Sequence, residues 1–169
     1  MTTDNLILIG MPGAGKSTIG VLLAKQLAMG FVDTDLLIQR AEGRSLQAIV
    51  DGDGYLALRR IEEEVLLGLR VQHAIIATGG SAVYSERAMT HLKQTGRVIF
   101  LDVELAELEA RVHDFCTRGL AKRPDQGLDD LFRERFLLYS QYADITITCA
   151  GLNQEEVCAR VMAHMRGVA

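Results

Sequence analysis

Asn5-Leu6-Ile7-Leu8-Ile9-Gly10-Met11-Pro12-Gly13-Ala14-Gly15-Lys16-Ser17-Thr18-Ile19 is the stretch that decides the architecture of this chain. A short unbroken apolar run meets Gly10, a glycine-rich turn follows, and Ile19, Leu22, Leu23 and Leu27 then recur at helical spacing. The reading is strand, turn, helix. Gly10 to Ser17 satisfies the pattern G-x-x-x-x-G-K-[ST] in that context, which turns a short motif into an argument. The glycines let the backbone curl so that successive N–H groups point inward at phosphate oxygens, and the following helix adds its positive end. Gly13, Ala14, Gly15, Lys16, Ser17 and Thr18 are therefore expected to hold a nucleotide. Lys16 would reach the β- and γ-phosphates of ATP and the Ser17 hydroxyl would ligate Mg²⁺. The plainer account, a glycine-rich turn that happens to precede a helix, is disfavoured by the flanking elements.

Outward from this loop, Phe31-Val32 ends at Asp33, and Ala74 to Thr78 is stopped by Gly79-Gly80. Neither run alternates with polar residues, as expected for strands covered on both faces. Arg97 to Leu101 ends at Asp102, and Asp144 to Cys149 precedes Gly151 and an amphipathic stretch through Val157, Val161, Met162 and Met165. Five strands separated by helices predict an α/β fold with a parallel sheet. Ligands in such sheets bind beyond the carboxyl ends of the strands, which here carry Gly10 to Ser17, Asp33 to Asp35, Gly79 to Ser81, and Asp102.

The 169 residues support one compact domain. The 49% hydrophobic and 24% charged content is that of a globular chain, and the net charge of −4 disfavours nonspecific binding to nucleic acid or anionic membrane. The longest apolar runs, such as Val98 to Leu101, fall far short of the roughly 20 residues of a membrane-spanning helix. No signal peptide is visible at Met1 to Asn5, and Cys116, Cys149 and Cys158 have neither disulfide nor zinc spacing. A cytoplasmic protein is expected.

The carboxylates of Asp33 and Asp35 share the rim of the phosphate loop, and one facing the metal with the other facing an alcohol acceptor suits phosphoryl transfer. An ordinary helix N-cap explains an Asp at this place equally well. Arg59 and Arg60 have a bland account too, as i,i+4 partners of Glu63 and Glu64, and Arg135 as a surface partner of Asp130 or Glu134. His113 to Gln126 carries Arg118, Lys122 and Arg123 without an apolar period. It reads as a solvated loop or as a cationic lid over the transferring phosphate.

Taken together, Gly10 to Gly20, Asp33-Thr34-Asp35, Gly43-Arg44-Ser45, Arg59-Arg60-Ile61-Glu62-Glu63, Thr78-Gly79-Gly80, Ala82-Val83, Leu101-Asp102-Val103, and Arg135 to Tyr139 resemble the shikimate kinase family, in the family's order across nearly the whole chain. The resemblance implies a three-layer P-loop fold with a five-stranded parallel sheet flanked by helices. A helical substrate-binding segment at about 36–71 and a mobile lid at about 114–126 come with it. It implies transfer of phosphate from ATP, with Mg²⁺, to a shikimate hydroxyl, on the route to chorismate and the aromatic amino acids, by a protein expected to be monomeric.

By position, the resemblance gives Asp35 to the reacting hydroxyls, Arg59 and Arg135 to the substrate carboxylate, and Gly79, Gly80 and Ser81 to the substrate-side loop. Asp33 would support Mg²⁺, Arg118 would contact the transferred phosphate and Arg111 would lie against adenine. The chain departs from the family pattern at Ser81, where a third glycine is usual, and in the lid, where Arg118-Gly119-Leu120-Ala121 precedes Arg123-Pro124 and either arginine could serve. Tyr55, Leu58 and Leu137 are further departures near the acceptor side. A gluconate-kinase-like enzyme for another hydroxylated acid or polyol is the near alternative. A noncatalytic nucleotide-binding module is the remote one, and intact Lys16, Ser17, Asp33 and Asp35 speak against it.

Overall fold

The computed structural model describes residues 5–111 and 119–167. The chain runs β1 (Asn5–Ile9), α1 (Lys16–Leu27), β2 (Gly30–Asp33), α2 (Thr34–Glu42), α3 (Leu46–Asp53), α4 (Tyr55–Gly68), β3 (Ala74–Ala77), a 3-10 turn (Ala82–Tyr84), α5 (Glu86–Thr95), β4 (Gly96–Asp102), α6 (Leu105–Arg111), α7 (Leu128–Tyr142), β5 (Ile145–Thr148) and α8 (Gln154–Met165). The five strands form one parallel sheet in the order β2-β3-β1-β4-β5. This is the expected α/β architecture.

The apolar run of β1 occupies the middle of the sheet because every one of its residues is buried. Leu6 to Leu8 pair with Ile75 to Ala77 on one side, and Asn5 to Ile9 with Gly96 to Phe100 on the other. The side chain of Asn5 donates to the Val71 carbonyl and accepts from the Ala74 N–H, fixing where β3 starts relative to β1. Helix α1 packs on α8 and against β3, while α5 and α7 pack against β4. The main core thus runs through both the strands and their covering helices. Not every strand is sandwiched, however. β2 and β5 are the edges, and their residues are largely half-buried or exposed, so the expectation that Phe31-Val32 is covered on both faces fails.

Helices α2, α3 and α4 form a lobe beside the sheet with an apolar cluster of its own, built on Ile38, Ile49 and Leu58. The fourth fully packed member of that cluster is Ala121, far along the chain. From Gly119 to Gln126 the backbone is neither helix nor strand. The N–H of Gly119 donates to Gln47 Oε1 at 2.7 Å, and a Cβ there would collide with the backbone between Leu46 and Gln47. This close seating, at a φ of +63°, anchors the segment against the lobe. The rest of the expected lid, residues 114–118 with Arg118, lies outside the described residues.

Candidate active site

The turn after β1 adopts left-handed conformations at Gly13 (φ +84°) and Gly15 (φ +93°), which side-chain-bearing residues rarely take. Gly15 therefore stands at the N-cap of α1 with no side chain to bond the first N–H groups, and no acidic residue sits in the first turn. By contrast, α2, α3, α5 and α8 are capped by Asp33, Ser45, Ser85 and Asn153. The positive end of α1 is left open to an anion.

Lys16 is buried, and its Nζ donates to the carbonyls of Gly10 (2.7 Å) and Met11 (2.9 Å). Burial pulls its ammonium down to about 8, against the attraction of Asp35, Glu62 and Asp33. The Ser17 hydroxyl donates to Asp33 Oδ2 at 2.6 Å. The other oxygen of Asp33 accepts the N–H of Asp35 at 3.0 Å. The N-cap account of Asp33 holds, and it leaves the second oxygen free to meet Ser17 of the phosphate loop.

A cleft of about 380 Å³ opens above these groups, lined among others by Lys16, Ser17, Asp35, Glu62, Gly79 and Arg135. Asp35 is presented by the first turn of α2, and its burial raises the carboxyl above the usual range while Lys16 opposes this. The Gly79 N–H donates to Thr34 Oγ1 at 3.1 Å, tying the loop after β3 to the same turn. A Cβ on Gly80 would come within 2.7 Å of Arg135 Nη1 and 2.9 Å of Pro12 Cδ, so a side chain there would have to displace both. The carbonyl of Gly80 is held by Tyr139, whose hydroxyl donates to it at 2.7 Å.

Arg59 and Arg135 come from different helices and converge. Nη2 of Arg59 donates to the Ala121 carbonyl at 3.1 Å, and Nη2 of Arg135 donates to that same oxygen at 3.0 Å. The Arg59 guanidinium lies over the Tyr84 ring, 3.5 Å from its centroid. The bland accounts of both arginines fail. Arg135 is 1% exposed and pairs with no carboxylate among the described residues, while Glu63 pairs instead with Arg87 at 3.2 Å and with Ser85. Glu134 is taken by Arg123 at 3.1 Å and by Tyr84. Arg123 is exposed there and does not line the cleft. Arg111 lines the cleft from the end of α6 and reaches the Gly13 carbonyl at 3.4 Å.

Sequence reasoning gave Glu62, Tyr84, Tyr139 and Ala121 no role in the site. Glu62 is 3% exposed, and burial pushes its carboxyl up to about 7, with the Ser81 hydrogen bond opposing and Asp35 adding to the rise. Its position was legible, because Leu58, Glu62 and Leu66 follow one another four apart on the buried stripe of α4. Leu131, Arg135 and Tyr139 do the same on α7. Ala121 left no comparable signal.

With this geometry in hand, comparison with known proteins is specific. Residues 12–166 match the family model for shikimate kinase. The chain is 37% identical over 162 residues to shikimate kinase of Rhizobium meliloti (strain 1021), covering 94% of this chain and 84% of that one. It is 34% identical over 163 residues to shikimate kinase of Aquifex aeolicus (strain VF5), covering 96% of each. It also superposes on the structure of shikimate kinase from Acinetobacter baumannii in complex with shikimate with a TM-score of 0.88 at 29% identity, covering 98% of this chain and 94% of that one. The chain belongs to the shikimate kinase family.

Proposed function

We propose that this protein transfers the γ-phosphate of ATP to a hydroxyl of shikimate, giving shikimate 3-phosphate. The observation that carries the acceptor's chemistry is the convergence of Arg59 and Arg135 on one oxygen. Two guanidiniums aimed at a single point make a carboxylate site, and the Ala121 carbonyl fills the place a carboxylate oxygen of the acceptor would take. Asp35, across the cleft, then meets the hydroxyl that attacks, orients it and takes its proton as the new O–P bond forms.

The uncapped start of α1 and the N–H groups of residues 13–18 receive the phosphates, and Lys16 exchanges its loop carbonyls for phosphate oxygens, which restores its full charge. Ser17 and Asp33 are the hard oxygen donors suited to Mg²⁺, and they already meet at 2.6 Å. Among the described residues no cluster of three or more His, Cys, Asp or Glu is present, which suits an ion completed by phosphate oxygens and water. Bound there, Mg²⁺ supplies charge neutralisation on the phosphates. Arg111 lies against the adenine, and Arg118 rather than the Glu134-paired Arg123 acts on the transferred phosphate.

The whole chain works as one catalytic unit, with 36–71 as acceptor segment and 114–126 as lid, in the cytoplasm and as a monomer. Among the described residues no helix is long and apolar enough to cross a membrane. ADP release by the purified protein with Mg²⁺ and ATP, with and without millimolar shikimate, tests this reading against Lys16→Ala as blank. Shikimate-dependent release that vanishes in the blank is expected. ADP release indifferent to shikimate would overturn the acceptor assignment.

A further inference from the structure

Ser81 does not aim its hydroxyl at the cleft mouth. It donates to Oε2 of Glu62, and both residues are buried. The other oxygen, Oε1, is fully buried and meets no donor among the described residues. A Cβ placed on Gly79 would run into that Oε1 and would also lie 2.8 Å from Asp35 Oδ1. Two carboxylates from different helices, Glu62 on α4 and Asp35 on α2, therefore flank one point above Gly79, inside the cleft that Lys16 and Arg135 also line.

We propose that Ser81 is a positioning residue, fixing the Glu62 carboxylate so that its unpartnered oxygen accepts, beside Asp35, a hydrogen bond from a hydroxyl of the acceptor. This rests on the proposed function above and adds to it a specificity element that this chain's own Ser81 supplies. A buried carboxylate oxygen without a donor is costly, and a polyol is the ligand class that brings donors to it. A glutamate has three rotatable side-chain bonds, so an unheld carboxylate at this place would sample orientations that turn Oε1 away from the acceptor. The Ser81 hydroxyl, donating to the opposite oxygen Oε2, removes that freedom. Its φ of −98° lies outside the left-handed region that favours glycine, so a side chain is admitted there.

The groups facing Glu62 are Lys16 from α1, Asp35 from α2, Arg135 from α7 and Ser81 itself. Of these, Ser81 contributes a hydrogen bond to the ionised carboxylate and so holds its titration down. Loss of that bond moves the acidic limb of the pH profile of kcat/KM for shikimate toward higher pH, an effect that mere loosening of packing does not produce.

The test is steady-state kinetics of the wild type, Ser81→Ala, Glu62→Gln and the double variant, with shikimate and ATP varied in turn. Ser81→Ala should raise KM for shikimate by roughly tenfold, leave KM for ATP within about twofold, and shift the acidic limb upward. In the Glu62→Gln background the same change should have no further effect, because the residue it acts through is already altered. Full additivity of the two substitutions, or an unchanged shikimate KM in Ser81→Ala, would overturn the role of Ser81 while leaving the function standing. A wild type that ignores shikimate would overturn both, and that result is read before any variant is made.

Discussion

The two halves of the cleft are built in different ways. The half proposed for the phosphates is built on one contiguous turn, Gly13 to Thr18, which leads into a helix end that no side chain caps. The half proposed for the acceptor draws Asp35 from α2, Glu62 from α4, Gly80 and Ser81 from the loop after β3, and Arg135 from α7, with Arg59 of α4 reaching it through the Ala121 carbonyl. Gly80 apart, it is assembled from side chains of separate elements. A backbone cradle recognises a group common to many ligands, whereas a side-chain assembly can be respecified one residue at a time. The departures at Ser81 and Leu58 fall on the acceptor half, and the phosphate loop carries none.

Substitutions can press on this contrast from both sides. Lys16→Ala, on the nucleotide side, should lower kcat by roughly 10³-fold or more whatever the acceptor, read as ADP release. Arg135→Ala should lower kcat/KM for shikimate by roughly 10²-fold and leave KM for ATP within about twofold, since a buried charged donor pair is lost from one half alone. Equal losses toward both substrates would mean the halves are mechanically coupled. Tyr139→Phe removes the hydroxyl that holds the Gly80 carbonyl and should raise KM for shikimate by about tenfold at unchanged ATP affinity.

The smallest effect concerns stability. Glu62 titrates near 7 in the folded chain, above its ordinary 4.5, so between those values the native state binds more protons than the unfolded one. Its contribution is therefore full below about 4.5 and is lost as pH rises through about 7. Glu62→Gln should raise Tm relative to wild type at pH 8 by a few degrees, with the gap closing toward pH 4.5; a gap that widens in acid would contradict the burial of an ionisable group there.

The same division explains what the amino-acid order disclosed. The five strands with the helices between them, the phosphate loop and the rim position of the two carboxylates are local patterns, and each lies where expected. Arg59 and Arg135 had equally good local explanations as ion pairs, and only tertiary packing, which gives Glu63 to Arg87 and Glu134 to Arg123, decides against them. A charged residue on a buried stripe, as Glu62 is between Leu58 and Leu66, was a readable sign that local periodicity alone provides. The Ala121 carbonyl was not readable at all, because a backbone oxygen carries no residue identity. The half-exposed β2 and β5 likewise depend on strand order, which no single run encodes.

That carbonyl also bears on inhibition. A competitor for the arginine pair does not enter a vacant charge site; it must outbid a tethered oxygen of the same chain, whose local concentration the fold keeps high. Small carboxylic acids should therefore be feeble ligands however well they match two guanidiniums. Potency would come from molecules that also replace the methyl of Ala121 against Ile38, Ile49 and Leu58, matching the apolar contact as well as the oxygen.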